Sequence, residues 1–217
     1  MYQKLLPLTP LLIVIGCFIG CGDLNSASST QPLKLRTGTP SEENHQKAEA
    51  SFYDFNFTDA LAYDKAQLTE DLTYFREESA EIALDYNNIA LDYAKLKEFN
   101  LSLEFYQKAM LIDTKVLDLN NTERLTTFYN IASTYESLKV YKQAEAYYLK
   151  SLEGSKNKEQ IFMSFQDIAR VYTKEKKYED AILYYQKALN MELNLNRKDN
   201  SRAVIEALII DLKKRIK

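Results

Sequence analysis

Hydrophobic positions recur at helical spacing in three similar segments of the chain, 86–93, 128–135 and 165–172. In each segment an aromatic residue, an isoleucine, an alanine and a tyrosine occupy positions i, i+3, i+4 and i+7. Residues at this spacing lie on one face of an α-helix, and the residues between them are mostly polar. The pattern therefore predicts three amphipathic helices that bury the same face.

A second apolar stripe follows each of these segments, over 102–109, 144–151 and 181–188. It consists of a small residue, an aromatic residue and another small residue, which is again a helical spacing. Two stripes in succession predict a helix–turn–helix unit that repeats along the chain. Small residues let the paired helices approach closely, and tyrosines fill the space beside them. The small residues are Ala90, Ala132 and Ala169 on the first helices and Ser102, Ala144 and Ala181 on the second, and the tyrosines are Tyr106, Tyr148 and Tyr185.

The paired stripes resemble the tetratricopeptide repeat, and the resemblance covers residues 83–116, 125–158 and 162–195. It implies an all-α fold, a right-handed superhelical solenoid of antiparallel helix pairs. The wide spacing of the first two units is similar to that of kinesin-light-chain-like members of the family. Asn120 followed by Glu123 predicts a capping box that starts the next helix.

The segments that flank the three repeats predict two further helical parts. Residues 57–60 are similar in sequence to residues 99–102, which begin the second helix of the first repeat. We therefore expect residues 47–82 to hold a degenerate repeat that ends in a long helix. Residues 196–217 carry a single apolar stripe, which is typical of a capping helix at the end of a solenoid. The stripe consists of Ile205, Leu208, Ile209, Leu212 and Ile216.

Residues 1–20 have the features of a secretory signal peptide: Lys4 precedes an apolar run that is too short to span a bilayer. The end of this run resembles a bacterial lipobox, in which a cysteine is acylated before cleavage. Cys17 fits the residue pattern slightly better, whereas Cys21 lies at the boundary between apolar and polar sequence. We favour Cys21 as the lipid attachment site, with Cys17 as the alternative.

The lipobox resemblance implies a palmitate-type anchor and a location in the bacterial cell envelope. In a diderm bacterium it favours the periplasmic side of the outer membrane. Residues 21–46 are rich in Ser, Thr, Asn and Pro, a composition that predicts a flexible tether between the anchor and the helical body.

Composition supports an all-helical body and excludes several kinds of function. All four prolines lie in the first 40 residues, and Gly154 is the one glycine beyond them. The net charge of −3 argues against nucleic-acid binding through bulk charge. The one histidine, His45, lies in the predicted tether, and no cysteine follows Cys21. Catalytic triads, Cys–His pairs and zinc sites of the usual kinds are therefore unavailable to the body, and we expect no enzyme activity, no metal and no cofactor.

The resemblance places function on the concave surface that the first helices line. The residues immediately before the three isoleucines are Asn88, Asn130 and Asp167, and an Asn at this position hydrogen-bonds a peptide backbone in peptide-binding members of the family. An amide suits this role because it both donates and accepts. The candidate groove residues are Asn87, Asn88, Leu91, Lys95, Tyr129, Asn130, Ser133, Gln166, Asp167 and Arg170. Their mixture of polar, aromatic and basic groups suits an acidic or amphipathic partner segment.

We therefore predict a membrane-anchored scaffold or adaptor that binds a protein or peptide segment in its concave groove. One alternative is a pilotin- or secretion-type accessory lipoprotein that assists assembly of an envelope complex. An alternative of another class is a subunit of an envelope enzyme that uses carboxylates.

Overall fold

The computed structural model describes residues 35–118, 121–192 and 200–216. These residues form nine α-helices and no strand, so the predicted all-α class is confirmed. Helices joined by short turns pack against each other as pairs, α1 with α2, α3 with α4, α5 with α6 and α7 with α8. The helices are α1 (Glu43–Tyr53), α2 (Phe57–Asp71), α3 (Ala80–Lys95), α4 (Phe99–Val116), α5 (Thr122–Ser137), α6 (Tyr141–Leu152), α7 (Lys158–Lys174), α8 (Tyr178–Glu192) and α9 (Ser201–Ile216).

The turn inside every helix pair has the same geometry. One residue of each turn has a φ of about +60°, in the left-handed region, and none of the four is a glycine. The backbone then closes with a six-residue hydrogen bond, as where the Glu98 N–H donates to the Tyr93 carbonyl at 2.9 Å. Because α1 and α2 are joined by this same turn, they form a further unit of the same kind. The left-handed residues are Phe55, Lys97, Lys139 and Lys176.

Each pair of helices approaches closely at its small residues, as the sequence predicts. The six alanines and serines of the two stripes are fully buried, and so are Tyr106 and Tyr148. Tyr185, the third tyrosine of this set, is 6% exposed. The packing predicted for the three repeats is therefore confirmed.

A second set of aromatic contacts ties the two helices of each repeat together. The ring of Phe105 on α4 lies between those of Tyr86 and Tyr93 on α3, with centroids 6.0 and 5.5 Å away. Tyr147 and Tyr184 take the same position in the next two repeats. A lysine ammonium one turn further along covers each of these rings, at 4.0 to 4.7 Å from the centroid.

The structure differs from the prediction at the N-terminal side of the body. The predicted tether runs to residue 46, but α1 already begins at Glu43. Before it, the Arg36 N–H donates to the Thr73 carbonyl at 2.7 Å, and the Ser41 N–H donates to the Glu70 carboxylate at 2.8 Å. Residues 47–82, where the sequence predicts a degenerate repeat that ends in a long helix, contain the end of α1, the 15-residue α2 and the start of α3.

The start of α5 also differs in detail from the prediction. Its N-cap is Asn121, whose side-chain oxygen accepts from the N–H groups of Glu123 at 2.8 Å and Arg124 at 3.4 Å. Asn120, the predicted cap, lies outside the described residues. The capping residue is thus one position further along the chain.

The last helix, α9, packs against α8 through Ile205, Ile209 and Leu212, which are buried. Leu208 and Ile216 belong to the predicted stripe but are 39% and 43% exposed, so the buried face is narrower than predicted. No helix among the described residues is long and apolar enough to cross a membrane. The predicted signal peptide, with Cys17, and the predicted lipid attachment site Cys21 lie outside the described residues.

Candidate binding groove

Two adjoining cavities lie along the first helices of the helix pairs. One, of about 270 Å³, is lined by α1, α2 and α3, and we call it the α1–α3 cavity. The other, of about 330 Å³, is lined by α3, α4 and α5, and we call it the α3–α5 cavity. Leu91 on α3 lines both, so the two cavities share one wall. We call the surface formed by both cavities the groove.

The α3–α5 cavity contains half of the groove residues predicted from the sequence. Lys95 and Ser133 are exposed there, and Leu91, Tyr129 and Asn130 are half-buried. The remaining lining comes from Ala94, Phe99, Tyr106, Thr134 and Ser137. A segment in this cavity would therefore meet aromatic rings, one amide, hydroxyl groups and one ammonium group.

The α1–α3 cavity contains Asn88 and Leu91, two of the candidate groove residues, together with residues that sequence reasoning missed. These residues come from α1 and α2 and from the buried side of α3, and they are His45, Ala48, Glu49, Phe52, Tyr53, Asp64 and Asp92. They were missed because the groove residues were predicted only from the first helices of the three clear repeats, and none was assigned to the degenerate repeat at 47–82. One signal was available: Ala48 and Ala60 have the same spacing from each other as Ala90 and Ser102.

An ion-pair network joins α5 and α7 within the predicted groove. The Arg170 guanidinium donates to both oxygens of Glu136, at 2.6 and 2.8 Å, and contacts Asp167 at 2.7 Å. The Tyr129 hydroxyl donates to Asp167 at 2.6 Å, and the Tyr148 hydroxyl donates to Glu136 at 3.0 Å. Burial raises the pKa of Asp167, and Arg170 and Tyr129 oppose that shift.

This network gives Asp167 and Arg170 partners within the protein. Two carboxylates neutralise the Arg170 charge, so this arginine is not a free cation for an acidic partner. Asp167 is 7% exposed and already accepts from Tyr129. Both residues hold α5 and α7 together, and neither lines the two cavities of the groove.

Two further predicted residues also lie outside the groove cavities. Asn87 faces a separate crevice of about 10 Å³ with Asp113 and Thr127, and its side-chain oxygen is buried without a hydrogen-bond partner. Gln166 is half-buried on α7 and lines neither cavity. The structure thus brings Asn88, Leu91, Lys95, Tyr129, Asn130 and Ser133 together and leaves Asn87, Gln166, Asp167 and Arg170 apart from them.

Two carboxyl pairs are buried between α2 and α3. Asp64 pairs with Asp92, and Asp71 pairs with Asp85. Burial, followed by the interaction with the paired carboxyl, raises the pKa of Asp92 and of Asp85 to about 8. Each pair therefore retains a proton at neutral pH.

No group of three or more His, Cys, Asp or Glu side chains in the described part of the chain is arranged to hold a metal ion.

Comparison with known families identifies the repeats. Family models described as tetratricopeptide repeat match residues 81–157 and residues 164–199. The matched regions contain the six stripes on which the resemblance was based. No curated protein matches the sequence significantly.

Solved structures similar to this chain are helical repeat proteins. The nearly identical TPR-like repeats of a kinesin light chain from Podosopora anserina superpose with a TM-score of 0.68 at 14% identity, over 80% of this chain and 85% of that one. BtubC (BKLC) from P. vanneervenii gives a TM-score of 0.69 at 18% identity, over 80% and 71%. MamA gives 0.56 at 19% identity, over 71% and 80%. At these identities the likeness establishes the fold, a tetratricopeptide-repeat superhelix.

Proposed function

Because the chain carries tetratricopeptide repeats, which are generally non-catalytic interaction modules, we propose that it is a scaffold that binds a segment of a partner protein in the groove. The observation that carries this proposal is the pair of adjoining cavities along α1, α3 and α5. They share the wall formed by Leu91 and present amides at Asn88 and Asn130.

The lining of the groove suits an extended or helical peptide segment. Half-buried apolar side chains such as Leu91 and Phe99 offer surface that a partner's apolar residues can cover. The side-chain amides of Asn88 and Asn130 can donate to and accept from peptide groups whatever the partner's sequence. Together these features support recognition of a segment of chain through both its backbone and its side chains.

We propose further that the protein is a bacterial lipoprotein held in the cell envelope through Cys21. The support is the sequence of residues 1–21, in which a short apolar run ends at Gly20-Cys21 before polar residues. Several acyl chains on one cysteine would hold the protein firmly at a membrane, because a single chain gives only marginal binding. The groove would then operate next to a membrane surface as part of an envelope complex.

Crosslinking in cells tests the groove. We compare the full-length protein with an Asn88→Ala/Asn130→Ala double variant, and use Asn100→Ala as the matched control because Asn100 is exposed at the start of α4, outside the groove. We expect one partner protein to be crosslinked by the unmodified chain and by the control, and lost in the double variant. Equal capture by all three proteins, with the helical content unchanged, would show that the groove does not bind the partner.

Membrane fractionation tests the anchor. We expect Cys21→Ala to move the protein out of the membrane fraction or to leave its signal peptide uncleaved, whereas Cys17→Ala changes neither property. The opposite pattern would move the anchor to Cys17. If neither variant changes the fractionation, the lipoprotein proposal is wrong.

A further inference from the structure

The first helix pair departs from the others at one position of its second helix. When the pairs are aligned on their turns, the fully buried Ala60 corresponds to Ser102, Ala144 and Ala181. Four residues later the three repeats carry the buried tyrosines Tyr106, Tyr148 and Tyr185, whereas the first pair carries Asp64. An aspartate fills much less space than a tyrosine, and the α1–α3 cavity lies at this position.

The inner end of this cavity is acidic. Asp64 and Asp92 both line it and are 7% and 1% exposed. The Oδ2 atom of Asp92 is buried and has no hydrogen-bond partner in the structure. A buried polar atom without a partner costs about 1–3 kcal/mol, so a donor that reached this atom would be stabilised there.

The outer part of the cavity combines aromatic rings with a further carboxylate. Phe52 is half-buried and Tyr53 is exposed, and both come from the last turn of α1. Glu49, one turn earlier on α1, is exposed. Aromatic faces and carboxylates are the two kinds of group that attract organic cations.

The charged and titratable groups around the pair come from four helices. They are His45, Glu49 and Tyr53 on α1, Asp64 on α2, Asp92 and Lys95 on α3, and Tyr106 on α4. The Lys95 ammonium lies 5.6 Å from the centre of the Phe52 ring, on the side of the α3–α5 cavity. Burial and the neighbouring Asp64 raise the pKa of Asp92, so the carboxyl pair retains a proton at neutral pH.

We propose that the α1–α3 cavity is a specificity pocket that receives one cationic side chain, a lysine or an arginine, of the partner segment. The inference rests on the proposed function, because it assigns the partner residue that one end of the groove selects. The cation would donate to the Asp64–Asp92 pair while its alkyl stem lies against Phe52 and Leu91. A cavity of about 270 Å³ matches a single long side chain better than a larger ligand.

This arrangement predicts that binding releases a proton. The entering cation replaces the proton that the carboxyl pair holds in the empty cavity, and the pair becomes ionised beside it. Affinity should therefore rise as the pH increases from 6 to 8, the range in which the empty pair retains its proton.

The experiment titrates the purified full-length protein, in detergent, with Nα-acetyl-lysine methylamide. The control ligand is Nα-acetyl-norleucine methylamide, which has the same alkyl chain without the ammonium group. Binding is followed by NMR through the side-chain amide of Asn88 and the methyl groups of Leu91. We expect saturable shifts with the lysine ligand and none with the norleucine ligand, with an affinity that is higher at pH 8 than at pH 6.

Variants assign the binding to the carboxyl pair. Asp92→Asn should weaken lysine binding by about tenfold or more, because it removes a charge-assisted hydrogen bond. Asp85→Asn is the matched control, since Asp85 is 6% exposed in the same helix interface but does not line the cavity. If Asp92→Asn does not fold, the exposed Glu49→Gln variant is tested instead. We expect it to bind the lysine ligand more weakly than the unmodified protein, by less than about tenfold.

Equal shifts with both ligands, or lysine binding that is unchanged in the foldable variants of the cavity, would overturn the proposal. The titration contains no partner protein, so its result is separate from the crosslinking test of the groove. If the cation does not bind while the Asn88→Ala/Asn130→Ala variant still loses its partner, the pocket is wrong and the groove stands. If the cation binds while the groove variants retain their partner, the cavity is a cation site but the groove is not the surface that binds the partner.

Discussion

At the scale of single residues, the turn inside each helix pair holds a side chain in a conformation that favours glycine. Lys97, Lys139 and Lys176 have φ values of 64°, 60° and 61°. A side chain in the left-handed region costs roughly 1–2 kcal/mol, because its Cβ approaches the following carbonyl oxygen. The hydrogen bonds that close each turn and the packing of the two helices offset this cost.

Glycine at one of these positions should stabilise the protein. We expect Lys139→Gly to raise the free energy of unfolding by about 0.5–1 kcal/mol, because relief of the left-handed strain exceeds the added entropy of the unfolded chain. Ala146→Gly, at an exposed position inside α6, should lower it by about 1 kcal/mol. Urea unfolding measures both, and destabilisation by Lys139→Gly would show that the lysine side chain has a structural role.

The ion-pair network between α5 and α7 gives a second prediction at this scale. Arg170→Ala leaves the buried Asp167 without its main counter-charge. We expect a loss of about 1–2 kcal/mol of unfolding free energy, a modest value because about half of the Arg170 side chain is exposed and its charge is screened.

The matched control for that variant is Arg215→Ala, whose partner Asp211 is exposed. Its stability in urea should equal that of the unmodified chain. If Arg170→Ala unfolds at the same urea concentration as Arg215→Ala, the network does not stabilise the fold. Arg170 would then remain a candidate for contact with a partner.

At the scale of elements, the sequence predicts the bounds of the helices that repeat, but not those of α1, which departs from the repeat. The stripes of α3 to α8 carry aromatic and small residues at every turn, so their pairing follows from spacing alone. α1 has Asn44 and Ser51 where α3 has Tyr86 and Tyr93, and without this aromatic stripe the first four residues of α1 were assigned to the tether and the rest to a degenerate repeat. Its identity as a first helix depends on the turn at Phe55 and on packing against α2, which are tertiary features.

In the candidate site, the positions of residues within a repeat were predictable, but contacts between neighbouring repeats were not. Lys95, Asn130 and Ser133 lie together because the repeat dictates which face of α3 and α5 they occupy. Arg170 shares that pattern, but its partner Glu136 comes from the neighbouring repeat, so the sequence pattern alone did not indicate that its charge is neutralised.

The interface between α2 and α3 makes the stability of the protein depend on pH. The ordinary pKa of an aspartate in an unfolded chain is about 3.9, and burial raises that of Asp85 to about 8 in the folded protein. Between these values the folded chain holds a proton that the unfolded chain has lost. The stabilisation is therefore complete below about pH 4 and is lost as the pH rises to about 8.

Asp85→Asn should reduce this dependence, because an amide at position 85 can donate to Asp71 without requiring a proton. We expect the loss of unfolding free energy between pH 5 and pH 9 to be smaller than in the unmodified chain by roughly 1–3 kcal/mol. Asp180→Asn, at an exposed position on α8, should retain the original pH profile. Parallel profiles for all three proteins in urea would contradict the assignment of Asp85 as a protonated carboxyl.

At the scale of the whole molecule, the solenoid presents two different surfaces along its first helices. From α1 to α5 they leave two adjoining cavities, whereas between α5 and α7 the ion pairs of Arg170 join the two helices. The groove in which we propose that a partner segment binds therefore lies in the N-terminal part of the helical body. In the proposed lipoprotein this part also lies nearest in sequence to the anchor, so a bound partner would be held close to the membrane.

The most direct test of the groove is photo-crosslinking in cells from single positions of the full-length protein. One photoreactive residue replaces Ser133, which is exposed in the α3–α5 cavity, and another replaces Gln107, which is exposed on α4 outside it. The account predicts one discrete adduct with the same partner from position 133 and none from position 107. An adduct from position 107 alone, or equal adducts from both positions, would contradict the claim that the groove is the binding surface.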